Sequence, residues 1–255
     1  MSIHHQAASG FSKQADAYAR GRPDYPDAVQ GWLTDTLGVA PGKTVLDLGA
    51  GTGKFTRLLS QTGATVIAVE PVAAMRAKLV EALPAVAAYE GTAEATGLPS
   101  ASVDAVLCAQ AFHWFATPAA VAEIVRILRP GGTLGLIWNV REQAIDWVAE
   151  ISRIIEPYEG DTPRHHRGDW QAVFPAPGLA ELQLSQFAYQ HLGPPEQVIV
   201  DRILSVSFIA SLPATEQAVV AAQLRTLIAQ HPALAGQETV AFPYRTDAWH
   251  CHKTG

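Results

Sequence analysis

Asp47, Gly49, Gly51 and Gly53 stand on alternate positions in the run Val45-Leu46-Asp47-Leu48-Gly49-Ala50-Gly51-Thr52-Gly53, and Glu70 follows about twenty residues after the loop. Glycines this dense let a backbone turn sharply and let a ligand come close where a Cβ would collide. The apolar-periodic segment after Gly53 suits a helix whose first N–H groups aim into the same crevice. A carboxylate at the position of Glu70 can accept both hydroxyls of a ribose. The chemistry implied is the seating of a nucleotide-like ligand.

Three readings of the loop differ in spacing. A phosphate-binding loop needs Gly-x-x-x-x-Gly-Lys-Ser/Thr. Here Phe55 follows Gly53-Lys54, and Leu48 stands where the first glycine belongs, so that reading fails. A dinucleotide fingerprint needs Gly-x-Gly-x-x-Gly/Ala. Counted from Gly49 its third position is Lys54, and counted from Gly51 it is Thr56. Helix–strand contact and room for a pyrophosphate are both compromised, which leaves an NAD(P)-dependent oxidoreductase as the alternative. The third reading is Asp-x-Gly-x-Gly-x-Gly. An anion at Asp47 is poor company for a pyrophosphate but suits a ligand carrying an ammonium and a sulfonium.

The elements that position these residues alternate. Apolar, β-branched runs predict strands over residues 44–48, 65–70, 86–89, 103–109 and 133–138. Helical periodicity covers 54–61, 72–83 and 117–128, the last with Thr117 as cap and Pro118 in the first turn. This rhythm implies βαβ units, right-handed crossovers and a mainly parallel sheet. Beyond Asn139 it breaks down. A helix is expected over 144–155, a loop-rich stretch over 157–178, a strand over 182–192, helical segments over 196–210 and 214–230, and a final strand over 239–249 pairing antiparallel at the sheet edge. Ahead of the first strand, a short helix is expected over 11–19 and another from Pro26 to about Leu37. Pro23-Asp24-Tyr25-Pro26 forces an extended path between them. Tyr25 is either a simple lead into the second helix or part of an arm that reaches ligand.

Composition narrows the function classes. Apolar residues at 48% and charged residues at 16% are those of a globular chain, and 255 residues suffice for a substantial core. A net charge of -6 without any Lys/Arg run argues against a nucleic-acid partner. Cys108 and Cys251 are too few for a disulfide framework. The N-terminus has neither basic nor apolar signal character, and the longest uncharged stretch, 105–122, contains Gln110, His113, Thr117 and Pro118, so no membrane span is expected. The expectation is a soluble, cytoplasmic protein, with its oligomeric state undetermined. His250-Cys251-His252 imitates metal ligands, but lacks further ligands at a usual spacing, so no metal is expected.

The glycine run resembles the first motif of the class I S-adenosylmethionine-dependent methyltransferases. Val66-Ile67-Ala68-Val69-Glu70-Pro71 resembles their second motif, and Glu90-Gly91-Thr92-Ala93-Glu94, Val103-Asp104-Ala105-Val106 and Leu128-Arg129-Pro130-Gly131-Gly132-Thr133-Leu134 match later landmarks in order and spacing. Ala109-Gln110-Ala111-Phe112-His113-Trp114-Phe115, Tyr18…Arg22-Pro23-x-Tyr25-Pro26 and Pro243-Tyr244-Arg245-Thr246 are similar to the small-molecule branch near the trans-aconitate methyltransferase-like group.

The resemblance implies S-adenosylmethionine as cofactor, seated on Asp47, Gly49, Ala50, Gly51, Thr52, Gly53, Glu70, Pro71, Thr92, Ala93, Glu94, Ala109 and Gln110. The backbone of Gly49 and Gly51 would hold the methionine amino and carboxylate groups, Glu70 the ribose, and the Ala93 backbone the adenine edge. The family commonly has an acid where this chain has Thr92; either the hydroxyl substitutes, or Glu94 does, or the contact is absent. Tyr25, Trp114 and Arg141 are the candidate substrate-binding residues. Trp114 either faces the sulfonium or acceptor, or packs in the core. His113 is either a general base or a hydrogen-bonded structural histidine. An acidic acceptor would call for cationic anchors, for which Arg141, His165, His166 and Arg245 are candidates.

The expected architecture is α/β: a Rossmann-like class I methyltransferase fold, a mostly parallel seven-stranded sheet with an antiparallel edge strand and a helical lid. A single methyltransferase domain over 1–255 would comprise an N-terminal helical arm (1–40), a cofactor-binding core (41–140) and substrate-side elements with a helical insertion and edge strands (141–255). The expected activity is methyl transfer to an oxygen, nitrogen or carbon of a small-molecule acceptor. A non-catalytic cofactor-binding module is the non-enzymatic alternative.

Overall fold

The computed structural model describes residues 22–255; the helix expected over 11–19, Tyr18 and Arg20 lie outside the described residues. The chain divides into two compact units. The glycine-loop unit comprises Asp27–Trp138, Pro163–Phe187 and Thr246–Gly255, and the helical unit comprises, of the described residues, 22–26, Asn139–Thr162 and Ala188–Arg245.

In the glycine-loop unit, β1 (Thr44–Leu48) pairs in parallel with β2 (Thr65–Val69) and with β4 (Val103–Ala109). β2 pairs with β3 (Ala87–Tyr89), and β4 with β5 (Leu128–Arg141), again in parallel. Val45, Leu46, Asp47 and Leu48 are all buried, as in a strand covered on both faces, which is why β1 reads as a continuous apolar run broken only by its aspartate. Each fully buried aliphatic side chain contributes roughly 1.5–3 kcal/mol. Asp104 secures the amino ends of these strands: its carboxylate accepts from Thr44 N at 2.9 Å, from Lys43 Nζ at 3.4 Å and from Arg129 Nη1.

The sheet has seven strands in the order β3-β2-β1-β4-β5-β7-β6, with β6 at Gln183–Gly193 and β7 at Val240–His252. It is mostly parallel with an antiparallel strand toward one edge, as expected. The final strand, β7, expected at the edge, runs instead between β5 and β6, and it is β6 that is outermost. β5 starts five residues before its expected position, because Leu128 already pairs with Val103 across a register shift.

The helices α2 (Lys54–Ser60), α3 (Ala73–Ala82) and α4 (Pro118–Ile127) lie where the periodicity places them. Thr117 caps α4 by accepting from Ala120 N at 3.1 Å. Two expected helices are less regular. α1 (Ala28–Gly31) continues as a π-helical stretch over Trp32–Thr36, with Trp32 and Leu33 buried.

The helical unit has a core of its own, drawn from α5 (Asp146–Ile155), the buried face of α8 (Ala214–Gln230) and Val240, Phe242 and Tyr244 of β7. The helix expected over 196–210 is broken there. Glu196–Asp201 is π-helical, α6 covers Arg202–Leu204, and Val206 takes an extended ψ of 132° before α7 (Ser207–Ala210).

Candidate active site

The glycine loop begins with a buried acid. Asp47 is fully buried in β1, and its Oδ2 accepts a hydrogen bond from Thr56 Oγ1 of α2 at 2.6 Å. Its Oδ1 is buried without a hydrogen-bond partner in the protein. Burial pushes its pKa up to about 7, the Thr56 bond opposes that shift, and the charge of Glu70 adds to it. Gly49 and Gly51 have φ of 74° and 57°, in the left-handed region that glycine occupies without strain. A Cβ on Gly49 would stand 2.9 Å from the Ala111 Cβ, so the loop lies tightly against the segment after β4. At Gly51 nothing but Met75 Cε comes within 4 Å, at 3.9 Å, which leaves room above the loop.

Glu70 follows β2 directly and is 5% exposed. Its Oε2 accepts from Gly51 N and its Oε1 from Val72 N, both at 2.8 Å. The carboxylate therefore ties the glycine loop to the end of β2. Burial raises its pKa, and the two N–H donors and the Arg76 guanidinium work against that rise. Arg76 Nη1 donates to the Glu70 carbonyl at 2.7 Å, fixing the turn through Pro71.

Beyond β3, Thr92 and Ala95 exchange backbone hydrogen bonds at 3.2 Å each, so Thr92, Ala93 and Glu94 form a tight turn with Ala93 buried. Thr117 Oγ1 approaches Glu94 Oε1 at 3.5 Å. At the carboxyl end of β4, Ala109 pairs with Ile137, and Gln110 N donates to Ile137 O at 2.8 Å. Gln110 has φ of 58°. A non-glycine residue there carries backbone strain of about 1–2 kcal/mol, and such strain clusters at functional sites.

His113 and Trp114 lie in the 3-10 turn Phe112–Trp114, their rings 5.2 Å apart. Trp138 Nε1, which can only donate, bonds His113 Nδ1 at 3.0 Å. Neutral His113 therefore carries its proton on Nε2, where it is a donor.

The expected cofactor residues, and His113 and Trp114, lie in the glycine-loop unit, whereas Tyr25 and Arg141 belong to the helical unit. Among the acceptor candidates, His165 stacks on Trp170 at 5.8 Å and lies 4.5 Å from Trp138, so it is part of an aromatic cluster. Three residues escaped the sequence reading. Thr56, counted only as a failed fingerprint position, is the partner of Asp47. Phe115 packs beside Gly49, with its Cε1 3.3 Å from where a Cβ would stand. Trp138, read as a strand end, fixes the His113 tautomer.

This donor set fits S-adenosylmethionine. A buried carboxylate oxygen lacking a partner suits a cationic neighbour, the open space at Gly51 suits close backbone approach, and the Glu70 oxygens retain lone pairs for hydroxyl donors. The loop thus offers a buried acid, a glycine backbone with open space and the Glu70 carboxylate.

Comparisons with known proteins agree. Residues 46–136 match the family described as "Methyltransferase domain". An uncharacterized methyltransferase of Mycobacterium tuberculosis is 41% identical over 236 residues, 92% of this chain and 92% of that protein. An uncharacterized methyltransferase-like protein of Schizosaccharomyces pombe is 35% identical over 244 residues, 95% of each chain. Among solved structures, a candidate type II methyltransferase from Anaeromyxobacter dehalogenans superposes with a TM-score of 0.63 at 25% identity, covering 91% of this chain and 97% of its own. Phosphoethanolamine N-methyltransferase 2 of Haemonchus contortus, solved with phosphomonomethylethanolamine and S-adenosylhomocysteine, shares the fold at a TM-score of 0.56 and 15% identity, covering 96% of this chain and 57% of that one. With its glycine loop, its paired acids and these relatives, the chain belongs to the class I S-adenosylmethionine-dependent methyltransferases.

Proposed function

We propose that this enzyme transfers a methyl group to a small-molecule acceptor, and that it belongs to the small-molecule branch near the trans-aconitate methyltransferase-like group. The observation that carries the reading is the bond from Gly51 N to Glu70 Oε2, which couples loop and acid as one ligand seat. When bound, S-adenosylmethionine supplies an electrophilic methyl carbon on a sulfonium. Asp47 complements the positive charge, Gly49 and Gly51 present backbone groups, Glu70 accepts ribose hydroxyls, and the turn of Thr92, Ala93 and Glu94 meets the adenine. Ala109 and Gln110 line the methionine side. Trp114 shapes the wall beside the reacting carbon, and His113 donates from Nε2 to orient the acceptor. Tyr25 and Arg141 serve the acceptor, with residues 141–255 as the substrate side of a single catalytic domain. An in-line displacement needs alignment and exclusion of water above all, and alignment can supply most of the rate. The net charge of -6 fits a small-molecule acceptor better than a nucleic acid, and a cytoplasmic setting is in keeping with this reading.

Calorimetric titration with S-adenosylhomocysteine and with NAD tests the proposal. Binding of the former and none of the latter is expected; the reverse result would sink it.

A further inference from the structure

Among the described residues of the helical unit, Arg141 interacts with Arg202 and Arg22 and with one carboxylate, Glu159. Arg141 ends β5, Arg202 starts α6 and Tyr244 lies in β7. Arg202 is 8% exposed, and its Nε donates to Tyr244 Oη at 3.2 Å. Its Nη1 is buried without a hydrogen-bond partner in the protein, and so is Nη1 of Arg141. The two guanidinium groups are close enough to repel. Arg141 has its pKa lowered to about 10, first by burial and then by Arg202; Tyr244 and Glu159 act in the opposite sense, and Arg22 adds to the repulsion. Three guanidinium groups thus act together against one carboxylate.

A buried N–H left without a partner is costly, and a buried like-charged pair more so. Such groups in a folded protein call for an explanation, an anion among the foremost. Guanidinium groups present paired N–H donors that match carboxylate and phosphate oxygens. Tyr244 contributes in the same sense. Its oxygen already accepts from Arg202, so its O–H proton is directed elsewhere, and burial raises its pKa and keeps that proton in place. The cluster therefore offers donors from three side chains, with Glu159 the carboxylate that acts on it among the described residues.

We propose that Arg141, Arg202 and Tyr244 form a binding site for an oxyanion, a carboxylate or a phosphate, carried by the methyl acceptor. The acceptor role rests on the methyltransferase reading above; the anion site stands on the arginines themselves.

The test uses the whole protein in a low-salt buffer, with succinate and inorganic phosphate as probes, read by calorimetry and thermal shift. Saturable binding of at least one is expected, weakened about ten-fold or more in Arg141→Gln and in Arg202→Gln. Tyr244→Phe removes a single hydroxyl and is expected to weaken binding by a few-fold, which keeps the test informative if an arginine variant does not fold. Binding of succinate alone identifies a carboxylate-bearing acceptor, and of phosphate alone a phosphate-bearing one. No binding of either probe, or equal affinity in all the folded variants, would overturn the site. Labelled methyl transfer is then measured over small acids of the class that binds. Transfer inhibited by the probe supports the acceptor role, and silence across that class overturns it. Titration of the same samples with S-adenosylhomocysteine separates the two failures: a wild-type protein that binds anion but not this ligand refutes the methyltransferase reading and leaves the anion site standing.

Discussion

Thr56 Oγ1 lies 2.6 Å from Asp47 Oδ2, joining the first helix after the glycine loop to the strand before it. The hydroxyl favours the carboxylate, but burial outweighs it, and Asp47 titrates near pH 7 and not near 3.8. The folded protein therefore holds a proton that the unfolded chain releases over the window between those values. Stability falls as pH rises through it and levels off above about 7. We expect Asp47→Asn to lose this slope. The wild-type minus variant difference in unfolding free energy should change by up to about 4 kcal/mol between pH 4 and pH 8, measured by urea denaturation across that range. Parallel pH profiles would refute the assignment.

Glu70 offers a test of the loop–strand tie. Glu70→Ala removes acceptors for Gly51 N and Val72 N together. Hydrogen bonds to a charged group contribute about 1.5–3 kcal/mol each. Calorimetry should show S-adenosylhomocysteine affinity reduced at least about ten-fold. Unchanged affinity would remove Glu70 from the cofactor site.

The two loop glycines should respond differently to alanine. At Gly49 a Cβ meets Ala111 at 2.9 Å and the backbone is left-handed, so Gly49→Ala should cost about 2–4 kcal/mol. At Gly51 there is space, and only the backbone cost of about 1–2 kcal/mol applies to Gly51→Ala. Thermal melts of the two variants would settle it; equal losses would contradict the packing described.

Glu123 should behave oppositely to Asp47. Arg126 and the Thr96 hydroxyl and backbone N–H hold its pKa down at about 2 against the opposing effect of burial. Its folded pKa lies below the unfolded 4.5, so its contribution is present above about pH 4.5 and is lost as pH falls toward 2. Glu123→Gln should destabilise by about 1–3 kcal/mol at pH 7 and by much less at pH 2.5, as read from denaturation midpoints.

What the sequence made legible follows from range. β1 and β4 show as uninterrupted apolar runs because both faces are covered, and the loop glycines and Glu70 show because spacing along one chain segment carries their meaning. The π-helical stretches at Trp32–Thr36 and Glu196–Asp201 keep an apolar periodicity close to that of an α-helix, so nothing in composition marks them. The cluster of Arg141, Arg202 and Tyr244 joins residues far apart in the chain, and its meaning appears only when the fold brings Arg202 onto the Tyr244 hydroxyl and leaves both arginines with buried, unpartnered Nη1 groups. The Asp47–Thr56 bond is local, yet a threonine at the start of an amphipathic helix gives no sign of its partner.

The left-handed backbone at Gln110 has an evolutionary consequence. Glycine would relax that position at once, so a lineage selected for heat resistance alone would be drawn to make the exchange. A glutamine that persists there trades robustness for its side chain, so a directed-evolution campaign for durability alone should exchange that codon for glycine, whereas one that also selects for activity should leave it fixed.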